Sequence, residues 1–242
     1  MTSGARTPSA TTSLPLLLLV GASRGLGHAM AAEFVRQGWH VIGTVRGDGR
    51  TPLHDLRDRH PQQVEIEQLD ITDPAQITAL RRRLEGRRLD ALFVNAGTAN
   101  HHQEETIAQV STDEFVRVMV TNALSPMRVV EGLQDLVKPD GLIGVMSSGQ
   151  GSVGNNESGG HEVYRGTKSA LNQYMRSYAA RHAGEARALV LAAPGWVKTE
   201  LGGPDARLSI DESIPRLVQV LLAKRARPGL EYLDYQGRTV PW

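Results

Sequence analysis

The chain has 242 residues, a formal net charge of +1 and no cysteine. That balance offers no bulk attraction to nucleic acid or to an anionic membrane, and the missing thiols exclude disulfides, zinc thiolates and cysteine nucleophiles. No stretch approaches the roughly 18 apolar residues of a membrane helix, and the composition fits a cytoplasmic protein with length for one α/β domain.

Residues 1–13 are rich in Ser, Thr, Ala, Gly and Pro and read as a disordered leader, leaving 14–242 as a single domain. Residues 14–20 could pass for a signal-peptide core with Arg6 upstream. The run is short, contains Pro15 and leads straight into glycines, so it reads as a first strand. The stretch Val20-Gly21-Ala22-Ser23-Arg24-Gly25-Leu26-Gly27 then joins that strand to a helical pattern over 26–37. A strand, a glycine turn and a helix N-terminus together make a site for a nucleotide pyrophosphate. Glycines let the backbone approach, and free N–H groups face the anion. The spacing is G-x-x-x-G-x-G, and three glycines alone would also suit a tight turn. Gly21-Ala22-Ser23-Arg24-Gly25 also matches the G-x-S-x-G elbow of α/β-hydrolases. Those enzymes draw part of their oxyanion hole from an earlier loop, and before Ser23 there is only one strand and a polar tail.

Gly38 ends the first helix, and 40–45 form a second strand with Arg46 at its tip. A weak polar helix over 52–60 precedes an alternating third strand at 64–69, followed by Asp70-Ile71-Thr72. Asp73-Pro74 caps a helix carrying Ile77, Leu80 and Leu84. A fourth strand, 89–94, leads to Asn95-Ala96-Gly97. Ser111-Thr112-Asp113-Glu114 has capping-box spacing and opens one long helical pattern containing Asn122 and Pro126. Residues 142–147 form a fifth strand, 149–160 a loop dense in Gly, Ser and Asn, and 163–182 a long helix. Strand six, 188–192, runs into Pro194-Gly195. A helix over 211–222 and a last strand near 230–233 complete the pattern. The alternation implies a parallel sheet covered on both faces: an α/β, three-layer, doubly wound Rossmann-type fold.

Tyr164-Arg165-Gly166-Thr167-Lys168 puts a tyrosine and a lysine at i and i+4, on one helix face. The spacing is common among surface pairs; here it follows the fifth strand beside a flexible loop. A phenol ordinarily titrates near 10, so acid–base work at neutrality needs a shift of up to about three units, about 4 kcal/mol. A neighbouring ammonium favours the phenolate.

Taken together, these segments resemble the short-chain dehydrogenase/reductase family in its single-domain form. The matching residues are Gly21, Gly25 and Gly27, Asp70, Asn95-Ala96-Gly97, Asn122, Ser148, Tyr164, Lys168 and Pro194-Gly195, in the family's order. The resemblance implies Tyr164 as general acid or base, Ser148 as a hydrogen-bond partner of the substrate oxygen, and Lys168 on the nicotinamide ribose, lowering the Tyr164 pKa. It implies Asn122 as the holder of a relay water and Asp70 as an adenine contact. Cofactor contacts would further involve Ser23, Arg24, Leu26, Arg46, Ile71, Asn95, Ala96, Gly97, Pro194, Gly195, Val197 and Thr199. The chain departs from the pattern at Val20 and Val94, and its interval from Ser148 to Tyr164 is longer than usual; Ser147 and Ser152 compete with Ser148. The 149–160 loop, residues 194–199, Gly202-Gly203 and the ending Tyr235-Gln236-Gly237 with Pro241-Trp242 resemble the C-factor/sniffer-like carbonyl reductase branch.

Cofactor choice follows from charge. A carboxylate at the tip of strand two suits NAD, and a cation suits NADP. Arg46 at that tip and Arg24 in the glycine loop point to NADP(H), with Asp48 arguing the other way. His101-His102 lies in a polar loop without metal-ligand spacing, so no metal is expected. Arg81-Arg82-Arg83 with Arg87-Arg88 reads as a solvated helix end rather than a nucleic-acid patch. The resemblance implies hydride transfer between NADP(H) and a small or medium carbonyl or alcohol substrate, in a homodimer or homotetramer, with a monomer left open by polar helix faces. A non-catalytic NADP-binding signalling or regulatory protein is the alternative from another class. An epimerase or dehydratase would need an extra substrate domain.

Overall fold

The computed structural model describes residues 14–242; the expected disordered leader, residues 1–13, lies outside the described residues. Seven parallel strands form one sheet. In chain order they are β1 (Leu16–Val20), β2 (His40–Val45), β3 (Val64–Gln68), β4 (Leu89–Val94), β5 (Val137–Met146), β6 (Ala188–Ala193) and β7 (Gly229–Asp234), in the spatial order β3-β2-β1-β4-β5-β6-β7. The order reverses between β1 and β4, which opens a crevice at the carboxyl ends of those strands. This is a Rossmann-type α/β fold.

The apolar run of β1 is continuous because both of its faces are covered. Leu18 and Val20 pack with the helices α3 (Pro74–Arg83), α5 (Ser125–Leu133) and α6 (Glu162–Arg181). Leu17 and Leu19 pack with α1 (Gly25–Arg36), α2 (Pro52–Arg59) and α7 (Ile210–Lys224). The edge strand β3 alternates instead, and its glutamates leave the sheet to meet Arg87 and Arg83. Asp73 caps α3 by accepting from the Ala75 amide at 2.8 Å.

Three features differ from the sequence-based expectation. The long helix is interrupted: α4 (Thr112–Met119) passes through a π-helical turn, Val120–Leu124, into α5. Pro126 has no N–H for the carbonyl of Asn122 four residues back, so an α-helical ladder cannot continue there. The expected capping box at Ser111 is half made. Its hydroxyl accepts from the Glu114 amide, but the Glu114 carboxylate turns to His101 and Arg117. β5 also starts earlier than expected, at Val137, pairing first with Leu89 before a register shift.

Candidate active site

The glycine loop is held by close backbone approach. The Gly21 amide donates to Thr44 Oγ1 at 2.9 Å, and the Gly21 carbonyl accepts from Asn95 Nδ2 at 2.8 Å. Gly21 has φ +84°, and a Cβ there would lie 2.8 Å from Ala96. At Gly27 a Cβ would lie 2.0 Å from the Gly21 carbonyl oxygen. Both positions exclude any side chain. Gly25 is different: its φ is +55° and nothing lies within 4 Å of the built Cβ. That open space faces the first turn of α1, whose N-cap, Arg24, supplies no side-chain cap. The N-terminal amides of α1 are left free for an anion. Ser23 and Leu26, both half-buried, flank this opening.

At the tip of β2, Arg46 is exposed and has no hydrogen-bond or ion-pair partner among the described residues. Asp48 is turned away from it, accepting from Gln68 Nε2 at 2.8 Å. Asp70 is half-buried. Burial pushes its carboxyl up, but the Thr72 hydroxyl and amide, with the Arg46 charge, outweigh that and hold it below the ordinary carboxylate value. Ile71 is 6 % exposed and packs in the core beneath this end of the sheet. Arg24 does not stand free for a phosphate as expected. It forms an ion pair with Glu200, joining the glycine loop to the segment after β6. Both side chains are exposed, so the bond is weak and exchangeable.

Beyond β4, the Asn95 and Ala96 amides both donate to the Val20 carbonyl. Gly97 sits between two polar groups: a Cβ there would be 3.3 Å from Asn122 Oδ1 and 3.5 Å from Lys168 Nζ. Asn122 is fully buried in the π turn. Its Oδ1 accepts from the Thr98 amide at 2.8 Å, and its Nδ2 donates to the Thr98 carbonyl and to Thr167 Oγ1, at 2.7 and 3.0 Å. Both amide protons are therefore spent. The expectation that this side chain holds a water narrows to the second lone pair of Oδ1.

Ser148 follows β5 and separates from its competitors. Ser147 Oγ donates to Asn172 Oδ1 at 2.6 Å, and Ser152 Oγ accepts from the Asn155 amide at 3.1 Å; both serines are 1 % exposed. The Ser148 hydroxyl bonds the Tyr164 phenol and pulls its pKa down. Burial acts more strongly the other way and, with a smaller push from Tyr232, leaves the phenol at about 12. In the free protein, then, Tyr164 is held up rather than depressed. Lys168 is itself desolvated, 3 % exposed, and burial lowers its ammonium to about 8. Its Nζ lies 5.7 Å from the Tyr164 ring centroid and donates to the Met146 carbonyl at 2.9 Å. The ammonium retains two further donors.

The segment after β6 is pinned at both ends. The Pro194 carbonyl accepts from Ser213 Oγ at 2.6 Å, and Gly195 turns at φ +83°. Val197 is buried and pairs with Leu208 in an isolated bridge, while Thr199 Oγ1 accepts from the Gly202 amide at 3.0 Å. Trp196 Nε1 donates to the Gly202 carbonyl at 2.7 Å.

The sequence reading missed Thr44, Thr98, Thr167, Asn172 and Tyr232. Asn172 carried a signal, being one further helical step, i+4, from Lys168. Tyr232, on the last strand, carried none. Among the other conspicuous residues, His101 pairs with Glu114, and Arg81, Arg83 and Arg87 pair with Asp135, Glu67 and Glu65. No metal-binding cluster and no helix long and apolar enough to cross a membrane occur among the described residues.

A phenol, a hydroxyl and an ammonium thus meet at one end of a parallel sheet, beside an open glycine turn with unpaired helix amides. A family model described as enoyl-(acyl carrier protein) reductase matches residues 21–216. The chain belongs to the short-chain dehydrogenase/reductase family. A member of this family from Burkholderia multivorans, solved with bound NADP, is 68% identical, with TM-score 0.94, covering 95% of this chain and 100% of that one. A Pseudomonas aeruginosa carbonyl reductase in complex with NADP is 31% identical, with TM-score 0.88, over 95% of this chain and 100% of that one. The C-signal protein of Myxococcus xanthus is 33% identical over 156 residues, 64% of this chain and 93% of that protein. These short-chain dehydrogenase/reductase relatives support an oxidoreductase of NADP-binding type.

Proposed function

We propose that this chain is an NADP(H)-dependent oxidoreductase that interconverts a small or medium carbonyl compound and its alcohol, with Tyr164 as general acid or base. The observation that carries the reading is the meeting of Ser148, Tyr164 and Lys168 beside the open Gly25 turn. The residues fit the cofactor. The Gly25 opening and the free α1 amides would take the pyrophosphate, and Arg46 and Arg24 the 2′-phosphate. Asp70 would meet the adenine. Asn95, Ala96 and Gly97 would line the groove, and the 194–199 segment would pack on the nicotinamide, with Lys168 on its ribose. When bound, the cofactor donates or accepts the hydride.

The protein's part is orientation and one proton. Ser148 Oγ and the Tyr164 phenol hydrogen-bond the substrate oxygen and fix the carbonyl for attack. Burial keeps the Tyr164 phenol protonated, so it has a proton to give in reduction, and a positive charge nearby would bring its pKa down toward the working pH. Oxidation needs the phenolate, and a positive charge nearby is what favours it. Lys168 supplies donors toward the ribose while its third proton stays on the Met146 carbonyl. We assign 14–242 to one catalytic domain and expect a homodimer or homotetramer.

The test is NADPH and NADH oxidation against a panel of aldehydes, ketones and quinones, for the wild type and Tyr164→Phe. NADPH-dependent turnover lost in the variant supports the reading. Turnover that survives the substitution contradicts it, and tight NADPH binding without turnover favours a non-catalytic binding protein.

A further inference from the structure

The carboxyl end of β7 brings a second phenol behind the site. Tyr232 is 1 % exposed and donates to the carbonyl of Ser148. Asn172 and Ser147 lie beside the phenol, and both pull its pKa down against the upward push of burial. Ser147 Oγ donates to Asn172 Oδ1 at 2.6 Å, and Asn172 Nδ2 donates to the Gly151 carbonyl at 3.1 Å. The fit is tight: a Cβ on Gly151 would lie 2.9 Å from that nitrogen. On its other side, the Tyr232 ring packs against Trp242 with centroids 5.5 Å apart, and the Trp242 carbonyl accepts from the Gly154 amide at 3.0 Å.

β7, α6 and the start of the 149–160 loop therefore converge on the two residues that leave β5. A phenol is a costly choice for this position. A phenylalanine would fill nearly the same volume, whereas a buried hydroxyl must be matched by partners or it destabilises the fold. Here it is matched, and the group it holds is the peptide of Ser148.

We propose that Tyr232 is a positioning residue, whose phenol, backed by Asn172 and Ser147, fixes the Ser148 peptide so that the Ser148 hydroxyl meets Tyr164. This deepens the reductase reading and rests on it. The bond Tyr232 makes is to the Ser148 carbonyl, so the role assigned to it runs through Ser148. A hydroxyl that only fills and stabilises the core would change the melting temperature and leave catalysis alone. One that acts through Ser148 lowers kcat while leaving KM and cofactor binding in place, and its effect vanishes once the Ser148 hydroxyl is gone.

The experiment is a double-mutant cycle of Tyr232→Phe and Ser148→Ala, read as kcat, KM and NADPH affinity from fluorescence. Tyr232→Phe is expected to lower kcat roughly tenfold with KM and NADPH affinity within about twofold. In the Ser148→Ala background the same change is expected to cost less than about twofold. Unchanged kcat in Tyr232→Phe, or the full loss repeated on Ser148→Ala, overturns the proposal. Asn172→Ser, which loosens the phenol from its buried side, is the second variant, with the same expected pattern. Tyr164→Phe run alongside separates the two failures. If it retains turnover, the reductase reading falls; if it is inactive while Tyr232→Phe matches wild type, only the positioning role falls.

Discussion

The two walls of the groove are built from different materials. The β1–α1 wall is backbone: the glycines touch Ala96, the Gly21 carbonyl and Asn95, with side-chain support from Thr44 and Asn95. The β5–α6 wall is buried ionisable side chain: Tyr164 raised to about 12 and Lys168 lowered to about 8, each by desolvation. The first wall is tight because no atom can be added at Gly21 or Gly27. The second stores unfavourable free energy, because both groups sit where their charged forms are disfavoured. Function on this scaffold requires both kinds of construction, and they fail differently when altered.

The largest expected effect falls on the side-chain wall. Tyr164→Phe is expected to lower kcat about a thousandfold without loss of thermal stability, as read by steady-state kinetics and a melt. Lys168→Met sharpens the contrast by pulling activity and stability apart. The folded-state pKa of Lys168 is about 8 against an ordinary 10.5, so the unfolded chain binds more protons between those values. This group's cost is therefore present below about pH 8, fades as pH rises, and is gone above about 10.5. At pH 7 the penalty is about 3 kcal/mol. Lys168→Met is expected to lose turnover yet melt higher at pH 7, with the gain shrinking toward pH 10. A lower melting temperature at pH 7 would contradict that reading.

On the backbone wall the opposite pairing is expected. Gly27→Ala forces a Cβ to 2.0 Å from a carbonyl oxygen. It is expected to cost about 2–4 kcal/mol of stability and to abolish NADPH binding together, measured by denaturant melts and fluorescence titration. A stable variant that binds NADPH would break the comparison. Next in size, Arg46→Ala is expected to weaken NADPH binding about tenfold and leave NADH unchanged, as one lost charge-assisted bond implies. Smallest is Glu200→Gln. Freeing Arg24 from its exposed pair is expected to tighten NADPH binding by about two- to threefold, an advantage that disappears at high salt.

The same division explains what could be read in advance. The strands, their parallel order and the glycine turn follow from local periodicity and from residues whose absence of a side chain is itself the signal. The π turn was half legible: Pro126 is in plain view, whereas the extra residue that bridges the gap it leaves shows only in the folded backbone. The directions of Asp48 and Arg24 were not legible: their partners, Gln68 and Glu200, are set by tertiary packing. The upward shift of Tyr164 in the free protein was not legible for a related reason. A lysine at i+4 implies a nearby charge, but spacing says nothing about how deeply both groups are buried, and burial dominates. Tyr232 lay outside any motif, because a contact between the last strand and the end of β5 has no trace in spacing.

The central claim is that Tyr164 is held as a protonated acid by burial and is released toward the phenolate by the positive charge of the oxidised cofactor. Carbon-13 NMR of protein labelled at the tyrosine ζ-carbon tests it directly, with the Tyr164 signal assigned by its loss in Tyr164→Phe. The account predicts no ionisation of Tyr164 up to about pH 10.5 in the free protein, and a midpoint lower by at least about one unit with NADP⁺ bound. A Tyr164 midpoint near neutrality without cofactor, or one that does not move when NADP⁺ binds, would contradict it.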